Sequence, residues 1–285
     1  MKSGLGLGTA TLIANYGLGQ ASAISSPREL LHRAIQSGIK YVDTAPSYDD
    51  AETLLGELQP TLRSNSVRIC TKVDARNTAL NLIASLQSSL LRLHCDSVDT
   101  LLIHSATEEI LSTEQVIQVM TDAKQRGLAE RVGASTYGVR PAEIAFAADW
   151  CDVVQIEFSI LNQSVLKAVP FGHRKKETVA RSVLCKGLLT GRRNLMPDLP
   201  GAVARRIDEL DRHAHSWGFT LPELAIRFAL DSPQIDCTLV GVTSDEELNT
   251  ALLASSRAPL NPTQLELLSE FDCSSFDCVH PERWT

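Results

Sequence analysis

The chain has 285 residues, 44% of them hydrophobic and 21% charged, with a net charge of -7. That balance is ordinary for a soluble globular protein with a sizeable core, and the acidic net charge argues against a nucleic-acid partner, whose phosphates need a basic face. No stretch approaches the ~20 apolar residues of a spanning helix, so no membrane role is expected. The start "MKSGLGLGTATL" carries no signal-peptide pattern, and the seven cysteines are scattered, odd in number and mostly in apolar segments. Reduced thiols and a cytoplasmic location are the expectation. Cys273 and Cys278 have no second pair with which to complete a zinc site, so no metal is expected.

Short apolar segments, often β-branched, alternate along the chain with segments of helical period. Strands are expected at residues 5–12, 40–43, 67–72, 98–104, 131–135, 153–157, 178–183 and 237–240. The first contains "GLGLGT", whose glycines at every second position suit a strand better than a phosphate-binding turn. After it, "PRELLHRAIQSG" sets Leu30, Leu31, Ala34 and Ile35 on one helical face, with Gly38 to end the helix. The segment "TALNLIASLQSSLLRL" carries Leu82, Ile83, Leu86, Leu90 and Leu93 at helical spacings. Residues 201–217 read as an extra helix, and "SDEELNTALLASS" opens with Ser244 and Glu247 in a capping-box spacing. Eight strands alternating with helices, in a chain close to the ~250 residues typical of the fold, predict a (β/α)8 TIM barrel. A doubly wound open sheet is the runner-up, but no strand leads directly into GxGxxG and a helix. With no internal repeat or low-complexity linker, residues 1–285 are expected to form one domain, with the tail from Cys273 folding back over a barrel mouth.

In such a barrel the C-terminal strand ends converge on one face, where active sites lie. The second strand stops at Asp43, with Tyr48 on the loop beyond; the third stops at Lys72 and the fourth at His104. The fifth ends in Ser135 and Thr136, and the sixth carries Gln155. Each residue alone has a plain structural use, as a turn, a rim or a snorkelling side chain. Together they make chemical sense. A phenol has a pKa near ~10, too high for efficient acid catalysis at neutrality, and a nearby ammonium lowers it. A carboxylate beside the lysine keeps that lysine charged, and an imidazole can orient a carbonyl oxygen.

Asp43, Tyr48, Lys72 and His104, in that order and at those strand ends, resemble the Asp-Tyr-Lys-His tetrad of the aldo-keto reductases. The likeness runs along nearly the whole chain. "GLGTATL", with Gly8 and Thr9, looks like the family's first barrel strand, and "AIQSGIKYVDTAPSYDDAETLLGE" like its second repeat. "SLQSSLLRLHCDSVDTLLIHS" is similar to the segment leading to the histidine. "VGAST" and "VVQIEFSILNQ" resemble the segments that hold a nicotinamide carboxamide, which assigns Ser135, Thr136 and Gln155 to that group. "TVARSVL" adds Arg181, Ser182 and Leu184; "GLLTG" adds Gly187 and Leu189; "LVGVTSDEEL" adds Gly241, Val242, Thr243 and Glu247, toward the pyrophosphate and adenosine half.

The resemblance implies NAD(P)H-dependent reduction of a small-molecule carbonyl, with Tyr48 giving the proton, Lys72 and Asp43 tuning it, and His104 aligning the substrate oxygen. The chain departs from the family at Asp49 and Ala51, where Gly and Ser are usual, and at Thr136, where Asn is usual. Arg181 stands where many members place an aromatic ring; its guanidinium could stack on the nicotinamide or reach an anionic substrate. Relatives that prefer the 2′-phosphorylated cofactor place Arg or Lys near the start of the helix after the eighth strand. Here Thr243, Ser244 and Glu247 stand there, so NADH is expected to serve at least as well as NADPH. Two other readings keep the barrel: a non-catalytic dinucleotide-binding redox sensor, and a Schiff-base aldolase using Lys72.

Overall fold

The computed structural model describes residues 4–13, 26–76, 81–169, 176–196, 198–280 and 283. Its strands are β1 (Gly4–Gly8), β2 (Tyr41–Asp43), β3 (Arg68–Val73), β4 (Val98–Ala106), β5 (Ala129–Thr136), β6 (Val153–Glu157), β7 (Glu177–Arg181) and β8 (Cys237–Gly241). Each pairs in parallel with the next, and β8 pairs with β1, so the sheet closes on itself as the alternating pattern predicts. Helices between the strands cover its outside.

Two strands end earlier than the sequence suggests. β1 stops at Gly8, and Ala10–Ile13 form a helical turn, because the Leu12 N–H closes back on the Thr9 carbonyl at 3.0 Å. β7 stops at Arg181, since Ser182 takes a positive φ of 61° that no strand can continue. The helix Pro27–Gln36 buries Leu30, Leu31, Ala34 and Ile35 as expected, and Ser26 caps it through the Glu29 N–H. Gly38, at φ 97°, turns the chain toward β2. The helix Leu82–Arg92 buries Leu82, Leu86 and Leu90; residues 78–80 of its expected first turn lie outside the described residues. The expected extra helix is Gly201–Ser216.

Strand side chains alternate between the barrel interior and the helix layer. Tyr41, Cys70, Leu102, Val153, Val179, Cys237 and Leu239 fill the interior as one apolar layer. Two residues further along their strands come Asp43, Lys72, His104, Gln155, Arg181 and Gly241 on the same face. A period of two therefore stacks a polar layer directly above an apolar plug. Below the plug, Arg68 donates to both oxygens of Glu177 at 3.2 Å, and Arg131 bonds the same carboxylate and the Thr100 hydroxyl. The floor is thus closed by charge, and the chemistry is confined to the other end. Gly133 lets β5 and β6 approach: a Cβ there would sit 1.8 Å from the Val153 carbonyl oxygen.

The described tail packs at the far end of β6. The Cys273 N–H donates to Leu161 O at 2.8 Å, and the His280 ring meets Asn162 at 3.3 Å and Glu157, the last residue of β6, at 3.5 Å. Among the described residues, no helix is long and apolar enough to cross a membrane, and all seven cysteines are free.

Candidate active site

Tyr48 closes a tight turn: its N–H donates to Ala45 O at 3.0 Å, with Pro46 at the second position, where proline's fixed φ is favoured. Asp49, at φ 44°, then carries the chain into the helix Ala51–Glu57. Buried Glu52 anchors that helix, accepting from the Thr71 hydroxyl at 2.5 Å and from Arg92 Nε at 2.8 Å. The turn that holds the phenol is therefore tied to β3 and its neighbouring helix.

Lys72 lies beneath, almost fully buried. Its Nζ donates to Asp43 Oδ2 at 2.6 Å and to Thr44 O at 2.9 Å, and stands 3.4 Å from the Tyr48 oxygen. Burial pulls the amine toward neutrality, but Asp43 and Tyr48 outweigh it and leave Lys72 above its ordinary value, an ammonium. Tyr48 departs from expectation. Burial raises its pKa more than Lys72 lowers it, so the phenol holds its proton above the ordinary range. His104 stands edge-on to the phenol, ring centroids 5.8 Å apart, with Ser47 Oγ 3.4 Å from its Nδ1. Burial, then Lys72, push its pKa down to about 4, so the imidazole is neutral at pH 7 and carries a single N–H.

A second constellation adjoins the first. Gln155 is buried; its Nε2 donates to Asp43 Oδ1 at 2.7 Å, and its Oε1 accepts from Ser135 Oγ at 2.8 Å. Arg181 Nε lies 3.4 Å from Ser135 Oγ, while its other end donates to Thr136 O at 2.6 Å and to Ser182 Oγ at 3.3 Å. Its guanidinium stacks 3.8 Å over the Tyr137 ring, a contact with no counterpart in the sequence reading.

A cavity of about 540 Å³ opens from Asp43 and Tyr48 and runs past Arg181 to the start of the helix Asp245–Ser256. Of the residues singled out from sequence, Gly8, Ser182, Leu184, Gly187, Gly241, Thr243 and Glu247 also line it. Lys72, His104, Ser135, Thr136, Gln155, Thr9, Leu189 and Val242 are not in its lining. Thr9 donates its hydroxyl to Asp43 O at 3.1 Å, and Leu189 and Val242 are buried apolar side chains.

The far end of the cavity holds a residue the sequence reading missed. Arg192 donates to Glu247 Oε1 at 2.6 Å and to Thr243 Oγ1 at 2.9 Å. Glu247 also accepts from the Thr243 N–H at 2.7 Å. The capping box is consequently half made: Ser244 Oγ accepts from the Glu247 N–H, but the Glu247 side chain turns to Thr243 and Arg192. The only signal in the sequence was position, since Arg192 directly follows "GLLTG".

The model of the aldo/keto reductase family matches residues 4–272. An aldo-keto reductase of Bacillus subtilis, YhdN, is 24% identical over 251 residues, covering 77% of this chain and 76% of its own. Among solved structures, the holo form of an aldo-keto reductase from Bacillus halodurans superposes with a TM-score of 0.78 at 20% identity, over 96% of this chain and 93% of that one. An aldo/keto reductase from Klebsiella pneumoniae in complex with NADP and acetate gives 0.74 at 20% identity, over 94% and 91%. At such identities the superpositions speak for the fold alone.

Proposed function

Because the chain belongs to the aldo/keto reductase family, we propose that Tyr48 is the proton donor of its reaction, with Lys72 and Asp43 beneath it and His104 beside it. The chain is an NAD(P)-dependent oxidoreductase that reduces an aldehyde or ketone to an alcohol, or runs the reverse, and its substrate is a small-molecule carbonyl compound. The observation that carries the assignment is the reach of Lys72 Nζ to both Asp43 and Tyr48, at one end of a cavity that extends to Glu247.

That cavity suits a dinucleotide. Its size lies in the range of small-molecule sites, and it has a polar group at either end. Gly8 and Gly191 line it with nothing within 4 Å of where a side chain would begin, so both keep its wall open. Ser135 and Gln155 would hold the carboxamide, and Arg181 would cover the nicotinamide end, its plane already fixed by Tyr137. Gly187 and Gly241 would flank the pyrophosphate, with Thr243 and Glu247 at the adenosine ribose. The bound cofactor supplies the hydride; the chain supplies the proton. His104, neutral, donates its N–H to the substrate oxygen. Tyr48, still protonated, gives its proton to that oxygen as negative charge develops, and Lys72 stabilises the phenolate left behind.

A Schiff-base role for Lys72 needs a neutral amine, and this one is held as an ammonium by Asp43 and Tyr48. NADH should serve at least as well as NADPH, because Glu247 brings a carboxylate to the ribose end and already occupies Arg192. The test is a panel of aldehydes and ketones with each reduced cofactor, followed by absorbance at the nicotinamide band. Oxidation coupled to alcohol formation supports the reading. Cofactor binding without oxidation by any substrate would favour the redox sensor, and borohydride trapping of a substrate on Lys72 would favour the aldolase.

A further inference from the structure

Asp43 is where two hydrogen-bonded chains meet. From one side Lys72 donates to Oδ2 at 2.6 Å; from the other, across the barrel, Gln155 Nε2 donates to Oδ1 at 2.7 Å. Chemistry fixes which end of the amide faces which partner. An ionised carboxylate only accepts, so the nitrogen must face Asp43, and the amide oxygen is left for the Ser135 hydroxyl at 2.8 Å. That hydroxyl spends its hydrogen on Gln155, so toward Arg181 Nε, at 3.4 Å, it accepts. Every donor in the series Arg181, Ser135, Gln155 therefore points toward Asp43. Aligned donors of this kind polarise one another, the more so in a buried setting.

We propose that Gln155 is a positioning residue for the proton donor: locked by Ser135, its amide holds and polarises Asp43, and so governs how strongly Asp43 and Lys72 act on Tyr48. The inference rests on the assignment of Tyr48 as the donor, and adds to Gln155 a function separate from gripping a carboxamide. A carboxylate held by Lys72 alone could rotate, and would direct more of its charge at the ammonium and the phenol. With both oxygens taken, it does neither. The charged and titratable groups facing Tyr48 are Asp43 from β2, Lys72 from β3, His104 from β4 and Arg181 from β7. Three of these four are linked to Gln155 by the hydrogen bonds above. The two residues expected to receive the cofactor are thus wired to the group that delivers the proton. By the reciprocity of coupled sites, filling one end alters the other.

A double-mutant cycle read in two ways tests this. The first readout needs no cofactor: the ¹³Cζ resonance of Tyr48 in tyrosine-labelled apoprotein at pH 7, assigned with Tyr48→Phe. Gln155→Leu should move it, and Ser135→Ala should move it less; in an Asp43→Asn background Gln155→Leu should leave it in place. The second is the single-turnover rate at saturating cofactor. Gln155→Leu should lower it by about tenfold in the otherwise native chain and by much less beside Asp43→Asn, the non-additivity of residues that act as one unit. Should Gln155→Leu not fold, Ser135→Ala carries both readouts. A Tyr48 resonance unmoved by either variant, or equal rate losses in both backgrounds, would overturn the proposal and leave Gln155 as a cofactor ligand only. A native protein that reduces no carbonyl would overturn the assignment of Tyr48 instead, while the apoprotein spectra would still decide the coupling.

Discussion

Tyr48 is held between opposing influences. Burial keeps the proton on the phenol, and an ammonium 3.4 Å away stands ready to stabilise the charge once the proton leaves. A group in that state is a donor over the whole neutral range. Reduction measured as kcat/KM should therefore stay level from about pH 6 to pH 9 and fall only on the alkaline side, as Tyr48 loses its proton. The oxidative direction, which needs the deprotonated form, should rise over the same alkaline interval. His104 contributes no bend in this window, since its pKa of about 4 lies below it. A reductive profile with a midpoint near pH 7 would show that another group is the acid. Tyr48→Phe should reduce carbonyl reduction by a factor on the order of 10² or more while cofactor binding, followed by tryptophan quenching, is unchanged. Lys72→Met should be nearly as damaging, and the double variant scarcely worse than either. It also strands the buried carboxylate of Asp43, so its melting temperature must be measured alongside; breaking a buried pair costs about 3–5 kcal/mol.

The helix Asp245–Ser256 illustrates how a correct element can carry a misread side chain. Its start was legible from Ser244 and the acidic run behind it, because capping is a local matter of spacing. What Glu247 does there was not legible, because its partner Arg192 comes from a different loop 55 residues away. Thr243, Ser244 and Glu247 do stand at the helix start, but Arg192 from another segment brings a basic group to the space in front of it. If Glu247 occupies Arg192 and repels a phosphate, Glu247→Gln should release the arginine and raise the NADPH to NADH ratio of kcat/KM by about tenfold, or ~1.4 kcal/mol. Arg192→Ala should lower that ratio. Dissociation constants for the two reduced cofactors, together with kcat/KM on one substrate, measure both; unchanged ratios would remove this pair from cofactor selection. Strand ends followed the same division. Asp43, Lys72 and His104 stood out because a polar residue after an apolar run is visible in one dimension, although β3 runs on to Val73 and β4 to Ala106. The ends of β1 and β7 were not visible, since they depend on a backbone closure at Thr9 and a positive φ at Ser182.

Over the whole molecule the barrel is a stack: a charged floor of Arg68, Arg131 and Glu177, an apolar plug, and the polar layer that carries the site. The alternation of strands and helices made the architecture readable, and a period of two made the stack readable in principle. The cross-barrel bonds were beyond the sequence, because nothing in β2 marks Gln155, 112 residues further on, as the partner of Asp43. The plug has a further use. It contains Cys70 and Cys237, and burial pushes the Cys237 thiol up to about 12 and that of Cys70 higher still. Cys151 and Cys185, buried beside strands, are likewise raised to about 12; burial raises Cys95, to about 11, and Cys278 too, but these two are partly exposed. Thiolate reactivity follows exposure and ionisation, so the chain carries its own graded set of stopwatches. Under pulse alkylation with mass detection, Cys95 and Cys278 should acquire label early. Cys70 and Cys237 should acquire it only when the cylinder itself breathes. Adducts on those two within the first pulse would reveal a seam between neighbouring staves that parts in the native state, and the labelling lag of Cys237 would time how long β8 stays shut against β1.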